Sequence, residues 1–514
     1  MNAKMWRKLR QITQVLALLL FVYLFVYATS RDPKRAWADI FYRLDPLIGL
    51  SAMLAGRVWI PLLGLSLFTL GLTLVFGRIW CGWFCPLGTL IQWVRPRSTA
   101  VPDRAPSEHW RSIKYVLLVI IVLAALLGNQ TLLFLDPNTI LTRTMATAIW
   151  PTVRVIVRSV ETWLYQFDAL WPALDAVHQW VTQPLFRSVD PLFYLAIPSA
   201  VFFLGILALN VWSSRFWCRY LCPLGGLLAI LSKLSLIRRT VSDRCAACGL
   251  CSGSCPTGTI RPEEGYRSDP AECIVCYDCI VDCTRDGVAF RWLGGDWRPA
   301  QWMDYDPGRR ELLGGAGAAL AGVVLTQVEP STKRVDAHMI RPPGSLNVDF
   351  DSLCVRCGEC VRICPTQGLQ PSLFEGGIRT VLTPRLVPRL GYCSYSCQAC
   401  GDVCPTGAIP SMTLADKQQV SIGLARVDQS RCLPWAYETP CIVCEEACPV
   451  PDKAIRLDVE KGITPEGETI SIQRPYVVKD LCIGCGICEY QCPMGGEAAI
   501  RVYAPTDLGP DFGF

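Results

Sequence analysis

Histidine is nearly absent from this chain: three residues in 514, at His109, His178 and His338. No Cys-x-x-Cys-His run occurs, so covalent attachment of c-type haem is unsupported. Two histidines facing each other across a helix bundle are also lacking, which removes bis-histidine haem b. Massed basic residues are missing too. The net charge is +5 with Lys and Arg scattered, so no nucleic-acid surface is indicated. The glycines from Gly314 to Gly322 follow no predicted strand and lack the G-x-G-x-x-G register, so no nicotinamide nucleotide is expected. Redox chemistry in this chain must run through sulfur. Cysteine is abundant, with 28 residues in a chain far too large to be a small disulfide scaffold.

Five apolar stretches approach the ~17–25 residues that cross a bilayer, at 12–29, 58–76, 113–128, 191–212 and 312–328. Lys4, Arg7, Lys8 and Arg10 before the first favour a cytoplasmic N-terminus, as do Arg78, Arg95, Arg97, Arg104 and Arg111 between the second and third. Arg31, Lys34, Arg35 and Arg43 oppose that bias. The first four spans read as an internal repeat. Each half runs span, Asp-Pro turn, span, cysteine motif: Asp45-Pro46 with Trp80-Cys81 to Cys85-Pro86-Leu87-Gly88, then Asp136-Pro137 with Trp217-Cys218 to Cys222-Pro223-Leu224-Gly225. Two spans per half bring both cysteine pairs to one face, expected to be cytoplasmic. Trp150, Trp163, Trp171 and Trp180 between spans three and four suit helices lying in the membrane interface, or a packed periplasmic cap.

The remaining cysteines fall into six sets of four. Cys245, Cys248, Cys251 and Cys255 have the spacing Cys-x2-Cys-x2-Cys-x3-Cys-Pro; Cys273, Cys276, Cys279 and Cys283 repeat it with Thr284 in place of proline. Three cysteines so spaced wrap a [4Fe–4S] cubane and the fourth reaches the other cluster. One cluster would use Cys245, Cys248, Cys251 and Cys283, its partner Cys273, Cys276, Cys279 and Cys255. Cys354, Cys357, Cys360 and Cys364 keep the standard spacing, as do Cys482, Cys485, Cys488 and Cys492. Cys393, Cys397, Cys400 and Cys404 widen the first gap by one residue, and Cys432, Cys441, Cys444 and Cys448 place eight residues in it. Spacing alone leaves open which distant cysteine completes each of these four clusters. Structural zinc is disfavoured, because it takes two Cys-x-x-Cys pairs across a longer loop.

Cys81, Cys85, Cys218 and Cys222 lie one helical turn apart within each pair. Together they suit one metal or cluster, two dithiol switches, or plain helix packing. Asp45 and Asp136 are candidate proton acceptors, though Asp-Pro more often begins a turn. Arg309-Arg310 before a mildly apolar run reads as a twin-arginine export signal inside the chain. A module whose clusters are inserted in the cytoplasm must cross the membrane folded, which predicts 240–300 in the cytoplasm and 335–514 in the periplasm; a tight hydrophobic linker with both modules cytoplasmic is the alternative.

From Trp6 to about Arg291 the chain resembles the ferredoxin-type membrane proteins NapH and MauN, on the four spans, the two Cys-x3-Cys-Pro-Leu-Gly motifs and the two-cluster tail. From about 305 onward it resembles NapG and MauM, on Arg309-Arg310 and on Arg341-Pro342-Pro343-Gly344 leading into Cys354-Val355-Arg356-Cys357-Gly358. The resemblance implies quinol oxidation in the membrane and delivery of electrons to a periplasmic redox enzyme or cytochrome.

The expected protein is multidomain. A four-span α-helical membrane domain (1–237) precedes a cytoplasmic two-cluster ferredoxin domain (238–300), a twin-arginine-like segment with a fifth span (301–334), and a periplasmic four-cluster domain (335–514). The soluble modules are α+β and of bacterial 2[4Fe–4S] ferredoxin type. Six clusters, a bacterial cytoplasmic-membrane location and the quinone pool as partner complete the expectation. A maturation factor for a periplasmic redox enzyme, or a transmembrane relay without quinone, are the alternatives.

Overall fold

The computed structural model describes residues 3–29, 37–94, 106–182, 193–293, 339–463 and 469–505, except 107 and 348, with isolated positions between 314 and 324. Arg309-Arg310 lies outside the described residues, as does the expected fifth span apart from those isolated positions. The chain forms two compact units.

The first unit comprises Met1–Tyr27, Trp37–Thr144 and Pro198–Val328. Its longest helix is α1 (Ala3–Thr29), free of proline and glycine. Ala17, Phe21, Leu24, Phe25 and Ala28 are buried on one face at the 3.6-residue period, while Leu16, Leu19, Leu20 and Tyr23 are exposed. An apolar helix that leaves leucines on its open side suits lipid better than water. Lys4–Ala28 within α1 is long and apolar enough to cross a membrane. The expected spans at 58–76 and 191–212 fall on the shorter apolar helices Pro61–Phe76 and Ala196–Trp212. Seventeen residues rise about 26 Å, just short of the ~30 Å hydrocarbon core.

Further helices in this unit are α2 (Pro46–Gly56), α3 (Ser66–Phe76), α4 (Pro86–Trp93), α5 (Ile113–Leu126) and α6 (Pro137–Thr144). α7 (Trp150–Leu164) belongs to the second unit; α8 (Ala196–Trp212) and α9 (Pro223–Ser232) return to the first. α9 packs on α3 and α5, and α2 on α5. α2, α4, α6 and α9 all begin with proline at a first-turn position where no amide donor is needed. Strands β1 (Ile237–Val241), β2 (Ile260–Arg261), β3 (Arg267–Ser268) and β4 (Val288–Trp292) follow. β1 pairs antiparallel with β4, Val241 opposite Val288, and β2 with β3. This small fold clasps a core of Cys251, Ile260, Cys279 and Val288. The expected boundary at 237/238 falls inside this unit.

The second unit comprises Ala28–Ala36, Met145–Ile197 and Glu329–Phe514. Its strands are β5 (Leu369–Pro371), β6 (Pro384–Leu386), β7 (Leu424–Val427), β8 (Ile455–Ile463), β9 (Thr469–Val477) and β10 (Ile500–Tyr503). They pair antiparallel as β5 with β6, β7 with β10 and β8 with β9. Ile340, Phe350, Leu369, Leu386, Ile422, Ile455 and Ile500 share one core with the cysteines. The tryptophan-bearing segment joins this unit: Met145–Ile149 packs against Glu359–Ile363, while Trp163, Trp171 and Trp180 stay exposed.

Candidate iron–sulfur sites

A chain that wraps a cubane must turn sharply between its cysteines. In four sets it does so with left-handed residues at the same two places, the second residue after the first cysteine and the residue after the second. These are Ala247 and Gly249, Val275 and Tyr277, Arg356 and Gly358, Gly484 and Gly486, with φ between 54° and 82°. A β-branched residue there is strained, and Val275 (φ 54°) is such a case.

The second unit brings each set of three cysteines to the last cysteine of its neighbour. One cavity is lined by Cys393, Cys397, Cys400 and Cys364. A second is lined by Cys482, Cys485, Cys488 and Cys448, and a third by Cys432, Cys441, Cys444 and Cys492. Cys354, Cys357 and Cys360 each lie within electrostatic reach of Cys404. In the first unit, Cys273, Cys276 and Cys279 all face Cys255 in the same way. Cys248 is exposed and Cys245 half-buried, beside the buried Cys251.

Burial pushes the Cys354 thiol up to about 11 and the Cys485 thiol up to about 12. Such thiols ionise poorly on their own, whereas metal ligation deprotonates a thiol outright. Among the described residues no three His, Cys, Asp or Glu side chains converge tightly enough for a single ion. A cubane spreads its four thiolates over four irons, so these wider sets fit a cluster and not a lone metal. Amides already aim at the sulfurs: Gly287 N donates to Cys283 Sγ (3.3 Å), and Ile409, Ala425 and Ala499 donate to Cys404, Cys482 and Cys492 (3.4 Å each). Thr366 Oγ1 lies 3.4 Å from Cys364 Sγ, in the Cys-Pro-Thr run shared with Cys255 and Cys404.

The cysteine pairs near the helices are built alike. Trp80–Phe84 and Trp217–Leu221 are widened π-type turns, each followed by a capping cysteine. Cys85 Sγ accepts from Gly88 N (3.4 Å) at the start of α4, and Cys222 Sγ from Gly225 N (3.3 Å) at the start of α9. All four thiols are buried and unbridged. Asp45 caps α2 through Leu47 N and Ile48 N; Asp136 caps α6 through Asn138 N and Thr139 N. Asn138 Nδ2 donates to Asp45 Oδ2 (2.8 Å), which links the two caps through one side chain.

Sequence reasoning missed the residues that hold these motifs together. Arg78 Nη2 donates to Cys218 O (3.3 Å) and Arg215 Nη1 to Cys81 O (3.3 Å), a reciprocal exchange between the two halves. The signal was present: each motif carries arginine three residues before its first cysteine, Arg78-Ile79-Trp80-Cys81 and Arg215-Phe216-Trp217-Cys218. Arg78 also reaches Ala271 O (2.9 Å) and Glu272 (3.2 Å), and Lys114 pairs with the same buried carboxylate. Beside Arg215 lies a cavity of about 440 Å³, lined by Gln14, Val15, Ile91, Gln92, Trp93 and Asp278 among others. Gln92 Oε1 accepts from Arg10, Gln14 and Arg215.

Comparison with known proteins agrees with this chemistry. A family model described as a 4Fe–4S binding domain matches residues 58–102 and 195–242, a 4Fe–4S dicluster model matches 353–409, and a further 4Fe–4S binding model matches 475–496. The chain is 42% identical over 217 residues to the methylamine utilization ferredoxin-type protein MauM of Methylorubrum extorquens, covering 40% of this chain and 91% of that protein. It is 34% identical over 216 residues to the ferredoxin-type protein NapG of Escherichia coli, covering 40% and 89%. Protein NirI of Paracoccus denitrificans is 30% identical over 250 residues, 45% of this chain and 30% of that protein. No solved structure matches.

Proposed function

The chain belongs to the MauM/NapG family of ferredoxin-type proteins, and from that premise we propose a membrane-bound electron conduit that oxidises quinol and passes electrons through six [4Fe–4S] clusters to a periplasmic redox partner. The observation that carries the reading is the exchange of fourth cysteines. It supports the ligand groups Cys354, Cys357, Cys360 and Cys404; Cys393, Cys397, Cys400 and Cys364; Cys432, Cys441, Cys444 and Cys492; and Cys482, Cys485, Cys488 and Cys448. In the first unit it supports Cys273, Cys276, Cys279 and Cys255, leaving Cys283 to complete Cys245, Cys248 and Cys251.

Bound clusters supply one-electron transfer, at potentials set by hydrogen bonds and exposure. The protein contributes amides aimed at sulfur, a buried setting and a fixed order along the chain. We place quinol in the cavity beside Gln92, where Ile91, Val15 and Trp93 offer an apolar wall and Gln14, Gln92 and Arg215 offer hydrogen bonds to a polar head. The multi-pass membrane reading and a periplasmic second unit belong to the same proposal. They are supported by the exposed leucines of α1 and by the tryptophan segment packed with the C-terminal cysteines.

The test is anaerobic purification in detergent, iron analysis, and reduction by a quinol analogue followed by electron paramagnetic resonance. Iron at or above the six-cubane complement, with quinol reducing clusters in wild type and failing to do so in Gln92→Leu, would support the conduit. Full clusters that dithionite reduces and quinol does not would overturn it. A quinone-independent relay is the second reading, favoured by the exposure of Cys248, which offers a soluble donor direct access to the first cluster.

A further inference from the structure

We propose that Cys81, Cys85, Cys218 and Cys222 jointly hold a seventh iron–sulfur cluster, shared between the two motifs and ligated by all four thiolates.

Each half alone supplies two cysteines, too few for a cluster held by four thiolates. The family model described as a 4Fe–4S binding domain matches two segments that contain these four cysteines and no others. The reciprocal arginine bonds hold the first cysteines of the two motifs against each other. Cys222 lies within electrostatic reach of Cys81, Cys85 and Cys218, and Cys85 within reach of Cys81 and Cys218. The four buried thiols are therefore near neighbours.

Their surroundings are cationic. Arg78 and Lys114 share the single carboxylate of Glu272, and Arg215 pairs with no carboxylate among the described residues. Arg78 and Arg215 are each 1% exposed. Asp136, in reach of Cys85, is a single carboxyl and offsets at most one of these charges. Uncompensated buried cations are strongly destabilising, and four neutral thiols would leave them so. An iron–sulfur core bound by four thiolates is a net anion and removes the imbalance.

Unsatisfied donors point the same way. Trp80 Nε1 and Trp217 Nε1, each next to the first cysteine of its motif, are buried without an acceptor, as are the Nε atoms of Arg78 and Arg215. Buried donors are rarely left unpaired, and the sulfides of a cluster accept hydrogen bonds that tune it. Two isolated dithiol pairs would not account for this symmetry of donors. The site also sits under the Cys273–Cys279 loop, since Trp83 Nε1 donates to Val275 O (3.0 Å), so a carrier here precedes that cluster in the chain of transfer.

The inference does not depend on quinol as donor, and its test does not use turnover. Iron and acid-labile sulfide are counted on the full-length protein purified anaerobically, beside a Cys81→Ala/Cys218→Ala variant, with Mössbauer spectra of both. Wild type is expected to exceed the roughly 24 irons of six cubanes by two to four, and the variant to lose that excess and one spectral component. Trp80→Phe/Trp217→Phe is expected to keep the iron and lower the potential of the same component. Wild-type iron that stops at six cubanes would overturn the proposal, as would zinc or copper on these thiols, or their recovery as two disulfides. If the cysteine variant does not fold, the wild-type count alone decides.

Discussion

The two cysteine motifs share a backbone and differ in what they face. In each, a π-type turn delivers the first cysteine and the second caps a proline-led helix. Between the cysteines the first reads Gly82-Trp83-Phe84 and the second Arg219-Tyr220-Leu221. A Cβ on Gly82 would stand 2.2 Å from Ile274 O, so this motif receives the two-cluster domain's backbone directly. The second motif reverses the arrangement: Arg219 projects toward the domain, and Gly258 makes room for it, a Cβ there standing 2.9 Å from Arg219 Nη2. A duplicated motif thus holds one small domain asymmetrically, with a glycine on opposite sides of the two contacts.

The largest expected effect removes the buried carboxylate that ties the two-cluster domain to the helices. Glu272 is 3% exposed and joins Lys114 to Arg78. Glu272→Gln leaves two buried cations facing an amide, expected to cost about 3–5 kcal/mol. Cluster absorbance followed on heating should fall at markedly lower temperature for the first unit, with the second unit unchanged. Gly82→Ala comes next, at about 1–3 kcal/mol, because the obstructing atom is backbone and cannot rotate away. Gly258→Ala should cost about 1–2 kcal/mol, chiefly from its φ of +57°, since the end of Arg219 can shift. A larger loss at Gly258 than at Gly82 would break the asymmetry argued above; limited proteolysis between 242 and 287 measures both.

Much of this was legible in sequence, unevenly. The cysteine spacing announced six sets, and the swap of fourth cysteines inside 245–283 follows from that spacing. For the sets from Cys354 onward it left the partner open, because gaps of three and eight residues change the loop and only tertiary packing chooses the neighbour. Helices with apolar runs were visible, but their ends were not. Pro61 and Gly77 bound the second apolar stretch by local backbone geometry, which hydropathy does not register. Least visible was the interface. Gly82 looks like any glycine in a turn, and the role of Arg78 depends on Cys218, 140 residues away. The repeated arginine three residues before each motif was the trace available.

The smallest expected effect sets two contributions of opposite sign against each other. Val275 holds a left-handed backbone while Trp83 bonds its carbonyl and Gly82 admits the carbonyl before it. A left-handed L-residue costs about 1–2 kcal/mol, and glycine returns about 0.5–1 kcal/mol of that through greater freedom in the unfolded chain. From the backbone alone, Val275→Gly would stabilise the first unit by roughly 0.5–1 kcal/mol. The valine side chain is buried, at 4% exposure, and losing its contacts works against this gain. A rise in the unfolding midpoint would mean that docking on the first motif imposes the strain. A fall would mean that packing of Val275 outweighs it, and that the conformation belongs to the cluster loop whether or not the motif is there.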